Sequence, residues 1–163
     1  MRKIYAALLI GAIGVLIDFL FHYVFLEPYQ VVNGVTLDYL ESPAYFAAKF
    51  AIFSVIAYAF LAMKWMDKFW GPWIYGIVAA GGFGLFYYVY PSVSVGTGTM
   101  PLPGKLLWGG IHTGCAVIAA GVYERNWFAI LYGIAILVAS AVILVVFGPT
   151  LFAVYPSQNL PGY

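Results

Sequence analysis

Five apolar runs, near residues 4–26, 44–63, 72–90, 105–123 and 127–147, leave this chain few ways to fold. At about 1.5 Å of rise per residue, each is long enough to cross or nearly cross a hydrocarbon layer about 30 Å thick. Hydrocarbon offers no partner to a bare backbone N–H or C=O, so runs of this kind are helical. The chain is 64% apolar and 8% charged over 163 residues, with a mean hydropathy of +0.95, outside the range of soluble domains. The expected fold is all-α, a polytopic integral membrane helix bundle of five transmembrane helices in a single domain spanning 1–163.

The connections are of two kinds. Short turns carry Lys64, Lys68 and Arg125, whereas the outer loops at 27–43 and 91–104 and the tail at 148–163 hold little positive charge. Because Lys and Arg are retained on the cytoplasmic side, the N-terminus with Arg2 and Lys3 is expected inside and the C-terminus outside, in the plasma membrane. The first run imitates a secretory signal, but it outlasts an h-region, lacks a small-x-small cleavage site before Glu27-Pro28 and contains Asp18. It reads as a first spanning helix. In the first outer loop, period-2 residues around Asn33-Gly34 predict a small extracytoplasmic β-hairpin. In the second, the GTGT at 96–99 lacks the flanking Lys-Ser/Thr of a phosphate loop. The fifth helix is expected to stop at Gly148-Pro149.

An internal repeat is also visible. Asp67-Lys68-Phe69-Trp70 followed by Ile74-Tyr75-Gly76-Ile77 aligns without a gap on Glu124-Arg125-Asn126-Trp127 followed by Leu131-Tyr132-Gly133-Ile134. Both copies run in the same direction through the membrane, which predicts a parallel repeat of helices 2–3 and 4–5. Close helix packing in lipid relies on small residues. Gly11 and Gly14 on helix 1, Gly76, Ala80 and Gly84 on helix 3, and Gly110 and Gly114 on helix 4 are the expected contact positions. Small residues on two sides of helix 4 predict that it is central, with His112 buried.

Four ionisable side chains interrupt the apolar spans: Asp18, His22, Lys49 and His112. Gly14, Asp18 and His22 share one stripe at i, i+4 and i+8, adjoining the Ala7-Gly11 face, which turns Asp18 and His22 toward protein. Counted inward from the outer helix ends, Asp18 and His112 lie about 10–12 Å deep, Lys49 about 8–10 Å and His22 about 6 Å. All four fall in the outer half or at the midplane, which predicts a polar pocket in the outer half of the bilayer. A charge in hydrocarbon costs at least a few kcal/mol, so Asp18 and Lys49 are expected to pair.

Three functions could use such a cluster. The first expectation is an accessory or scaffold subunit of a multi-subunit membrane complex, without catalytic activity of its own, partnered by the lipid bilayer and by other membrane subunits or further copies of itself. The second is a small oligomeric ion- or proton-coupled transporter or channel. The third is a metal- or haem-binding redox subunit in which His22, His112, Asp18 and Cys115 hold copper, or the two histidines clamp a haem. The Asp18-x-x-x-His22 spacing is similar to part of the copper site of membrane monooxygenase C subunits, whose further histidine on the same helix has no counterpart here. No nucleophile elbow or HExxH motif is present, and one cysteine excludes an intrachain disulfide. A net charge of +1 gives no basic field for nucleic acid.

Overall fold

A computed structural model describes residues 1–26, 43–89 and 102–152. Among these residues the chain is all-helical, in five helices with no strand. Helix α1 covers Arg2–Phe21 and continues as a π-helical stretch, His22–Leu26; α2 covers Pro43–Ala62, α3 Gly71–Val89, α4 Leu102–Glu124 and α5 Trp127–Phe152. Three helices are long and apolar enough to cross a membrane, Arg2–Val24, Leu106–Glu124 and Trp127–Phe147, and Phe46–Ala62 forms a shorter apolar helix. The expected β-hairpin at Asn33-Gly34, the 91–101 part of the second loop and the tail beyond 152 lie outside the described residues.

Prolines sit where helices tolerate them. Pro43 opens α2, and Pro72 and Pro103 stand at the second position of α3 and α4, where an amide N–H would have no intrahelical acceptor. Pro149 departs from this pattern. The backbone of α5 stays helical through Gly148-Pro149 to Phe152, past the expected stop. Near a helix end a proline forfeits one hydrogen bond, whereas unwinding there would bare several polar groups in apolar surroundings.

Helix α4 is the hub. Over its most apolar stretch 61% of residues are buried, against 17% for α5, and it packs on α1, α3 and α5. Two glycines explain how α3 and α5 approach it. A Cβ on Gly76 would meet the Val117 side chain and lie 3.1 Å from the Thr113 carbonyl oxygen, and one on Gly133 would meet Ile118 and lie 2.9 Å from the Gly114 carbonyl oxygen. Two helices thus touch the α4 backbone at the same level, on residues one position apart. On α1, Gly11 meets Phe50 and Ser54 of α2, while Gly14 meets Phe53 of α2 and Ala119 of α4. Gly110 faces Ser140 and Gly114 faces Leu137, both on α5, and Ala80 is buried.

Gly84 does not extend the α3 contact face. Among the described residues, a Cβ there would meet nothing within 4 Å. Gly84 lies about 12 Å along the axis from Gly76. At crossing angles of about 20–50°, axes that touch at one point have separated by roughly 4–9 Å over that distance.

Helices α2 and α4 end alike. Lys64 (φ 58°) and Arg125 (φ 55°) adopt the left-handed conformation. Just beyond them, Trp65 N–H donates to the Phe60 carbonyl at 2.9 Å and Asn126 N–H to the Gly121 carbonyl at 2.8 Å. Each is a Schellman closure with a cation in the place glycine usually takes. After the second, Asn126 caps α5 by accepting the Ala129 N–H at 3.1 Å.

Candidate functional site

The packed interior divides into two apolar clusters. One gathers Ile10, Phe53, Phe60, Tyr75, Phe83 and small residues of α4; the other gathers Phe21, Leu107, Ile111, Cys115 and Leu144. Trp108 packs against both. Asp18, Lys49 and His112 meet among these residues, with Asp18 and Lys49 both 0% exposed.

The carboxylate of Asp18 is the centre. Lys49 Nζ donates to its Oδ2 in an ion pair between α1 and α2. From α4, His112 Nδ1 lies 3.4 Å from Oδ1 and 3.4 Å from Lys49 Nζ, so the three side chains close a triangle. Cys115 S–H, also on α4, points at Oδ1 from 3.9 Å. His22 approaches along α1 itself: its Nδ1–H donates to the Asp18 backbone carbonyl at 2.8 Å and lies 3.4 Å from Oδ2. The His22 backbone N–H also reaches the carbonyls of Asp18 and Phe19. Here α1 passes into its π-helical stretch, a distortion frequent at functional sites.

Aromatic rings wall this polar group. Lys49 Nζ stands 4.9 Å from the centroid of the Phe83 ring, which brings α3 to the cluster through a cation–π contact. Phe83 and Trp108 both meet His112 edge-on, with centroids 4.9 Å and 5.3 Å away, and Trp108 meets His22 in the same way at 5.3 Å. One helical turn from Lys49, the Phe53 carbonyl accepts the Tyr75 hydroxyl at 3.1 Å, a second polar tie between α2 and α3. His112 Nε2 and Trp108 Nε1 are buried and have no hydrogen-bond partner among the described residues.

The structure therefore brings together all four intramembrane candidates, Asp18, His22, Lys49 and His112, with Cys115 beside them. It does not arrange His22, His112, Asp18 and Cys115 as metal donors. Among the described residues no group of three or more His, Cys, Asp or Glu is placed to hold a metal ion. The Lys49 ammonium stands beside the carboxylate, and His22 Nδ1 carries a proton given to a backbone carbonyl. Sequence reading missed Trp108, Phe83 and Gly133. Trp108 lies one turn before His112, and Gly133 occupies the repeat position of Gly76; those two spacings were the available signals. Compared with protein-family models, curated proteins and solved structures, the chain has no match.

Proposed function

We propose that this chain is a five-span plasma-membrane bundle, N-terminus cytoplasmic and C-terminus outside, that serves as a non-catalytic accessory or scaffold subunit of a larger membrane assembly. The observation that carries the reading is the closure of the polar cluster on itself. The Asp18 carboxylate is met by Lys49, His112 and Cys115, and it ties α1, α2 and α4 together from a fully buried position. Such an arrangement fixes a bundle. A carboxylate used in chemistry needs a vacant position for its substrate.

The periphery supports the same reading. Helix α5 carries a row of exposed large apolar side chains, among them Leu131, Val138, Val142 and Val145, and only its other side meets α4. That surface suits lipid or the helix of a neighbouring subunit. The parallel repeat of α2–α3 and α4–α5 rests on the gapless sequence match alone; the Schellman ends at Lys64 and Arg125 stand four positions out of that register. Extraction in a mild detergent followed by native mass spectrometry tests the proposal. A particle containing this chain and a different membrane protein in fixed stoichiometry is expected. A monomer or pure homo-oligomer would overturn it.

A second reading, a proton- or ion-coupled carrier, draws on a separate observation. His112 Nε2 and Trp108 Nε1, buried beside the ion pair without partners among the described residues, form a polar spot able to hold a water or take a proton. Proton release on ion addition to reconstituted vesicles, abolished in His112→Gln, would favour it over the subunit reading.

A further inference from the structure

On the other side of α4 from the ion pair, α3 and α5 stand apart over an apolar groove of about 490 Å³, within the range of about 300–1,000 Å³ typical of ligand sites. Gly76 and Gly133 build it. By seating α3 and α5 directly on the α4 backbone, they leave Thr113 and Val117 as a floor between two walls, with Trp73 and Ile77 on one side and Tyr132 and Ile136 on the other. The Thr113 hydroxyl donates to the Gly109 carbonyl at 2.8 Å, so its one donor proton is spent on its own helix. At the end near the turns the walls are aromatic. Phe69 meets Trp73 with centroids 4.7 Å apart, and Trp73 meets Tyr132 across the groove at 6.4 Å.

Charge is concentrated at that same end. Lys68 precedes the groove residue Phe69, Arg125 lies three residues before the groove residue Phe128, and both are exposed. Phe69 and Phe128 line the same groove, so the two turns adjoin, and each cation has a carboxylate next to it in sequence, Asp67 or Glu124. An aromatic belt below two exposed cations, each beside a carboxylate, opening into an apolar trough parallel to the helices, matches the layered chemistry of a glycerophospholipid: phosphate, glycerol backbone, acyl chain.

We propose that this groove binds one anionic glycerophospholipid, with an acyl chain along Val117, Ile77 and Ile136 and the phosphate between Lys68 and Arg125. The proposal rests on the membrane-bundle reading and is independent of the subunit role. Native mass spectrometry of the full chain, released from nanodiscs of phosphatidylglycerol or of phosphatidylcholine, tests it. One phosphatidylglycerol per chain is expected to survive release, with phosphatidylcholine held about tenfold less, the scale set by surface cations on anionic lipid. Lys68→Glu with Arg125→Glu should erase that preference. Ile77→Trp, at an exposed wall position, should displace the lipid from a still folded chain, as circular dichroism would verify. Equal retention of both lipids, retention unchanged by Ile77→Trp, or a protein chain cross-linking to a cysteine at position 77 in place of lipid would each overturn it. Labelling of a cysteine at position 68 only from outside would refute the orientation while leaving the lipid result intact, so the two failures are distinguishable.

Discussion

Substitution at Asp18 and Lys49 tests the centre of the structure most directly. Asp18→Asn strips the ammonium of its counter-charge and leaves it beside His112 Nδ1 at 3.4 Å and the Phe83 ring at 4.9 Å, neither of which carries a full negative charge. An uncompensated buried charge of this kind costs about 3–5 kcal/mol. Lys49→Met leaves the carboxylate beside His112 at 3.4 Å, His22 Nδ1 at 3.4 Å and the Cys115 thiol at 3.9 Å, so its loss should fall toward the lower end of the same range, about 3 kcal/mol. The double substitution removes both charges and should be milder than either single one, which requires a coupling energy of several kcal/mol, large for a contacting pair. The assay is unfolding of the detergent-solubilised chain by titration with a denaturing detergent, followed by circular dichroism, for wild type, both singles and the double. A double variant as unstable as the sum of the singles would refute the reasoning, and so would a Lys49→Met variant less stable than Asp18→Asn.

Gly133→Val should destabilise by about 1–3 kcal/mol, because its Cβ would press on the Gly114 carbonyl and the Ile118 backbone. Gly84→Ala, where no described residue lies within 4 Å of the added Cβ, should stabilise by roughly 0.5–1 kcal/mol. The same unfolding titration separates the two, and equal effects would mean the helices do not meet at Gly133. Lys64→Gly should relieve a left-handed φ of 58° and raise stability by up to about 1–2 kcal/mol; an unchanged or lowered midpoint would deny strain there. A cysteine replacing Asn33 should react with an impermeant thiol reagent on intact cells, and reaction only after permeabilisation would reverse the orientation.

The helical class was legible because lipid-length apolar runs admit one backbone solution. The meeting of Asp18 with Lys49 was legible for a related reason: two opposite charges at similar depth on neighbouring helices have nowhere cheaper to go. Other features were beyond the reach of a one-dimensional reading. The sequence marks Gly76, Ala80 and Gly84 as equivalent, and only the crossing geometry of α3 on α4 leaves Gly84 exposed. The aromatic wall of Trp108 and Phe83 depends on side chains of α4 and α3 converging on His112, while 20% of the chain is aromatic, so no single ring stands out by type. The metal reading counted His, Asp and Cys donors by type; among the described residues no three of them are grouped to hold an ion, and Lys49 stands against the carboxylate.

The network also answers a question that glycine packing leaves open, namely what sets the height of α1. Its register comes from its own contacts with α2 and α4. Gly11 and Gly14 let α1 approach α2 and α4 closely, yet contacts between small and apolar side chains change little when one helix slides past another. A slip of one turn, about 5.4 Å, would carry Asp18 away from both Lys49 and His112 and leave charges unmatched in an apolar interior. Against that, the gain from an ion pair over well-packed apolar residues is small or negative. The cluster therefore contributes less to how firmly the bundle holds than to which of several closely packed arrangements it adopts. Its position fits that role: one carboxylate on α1 is answered by Lys49 on α2 and by His112 on α4.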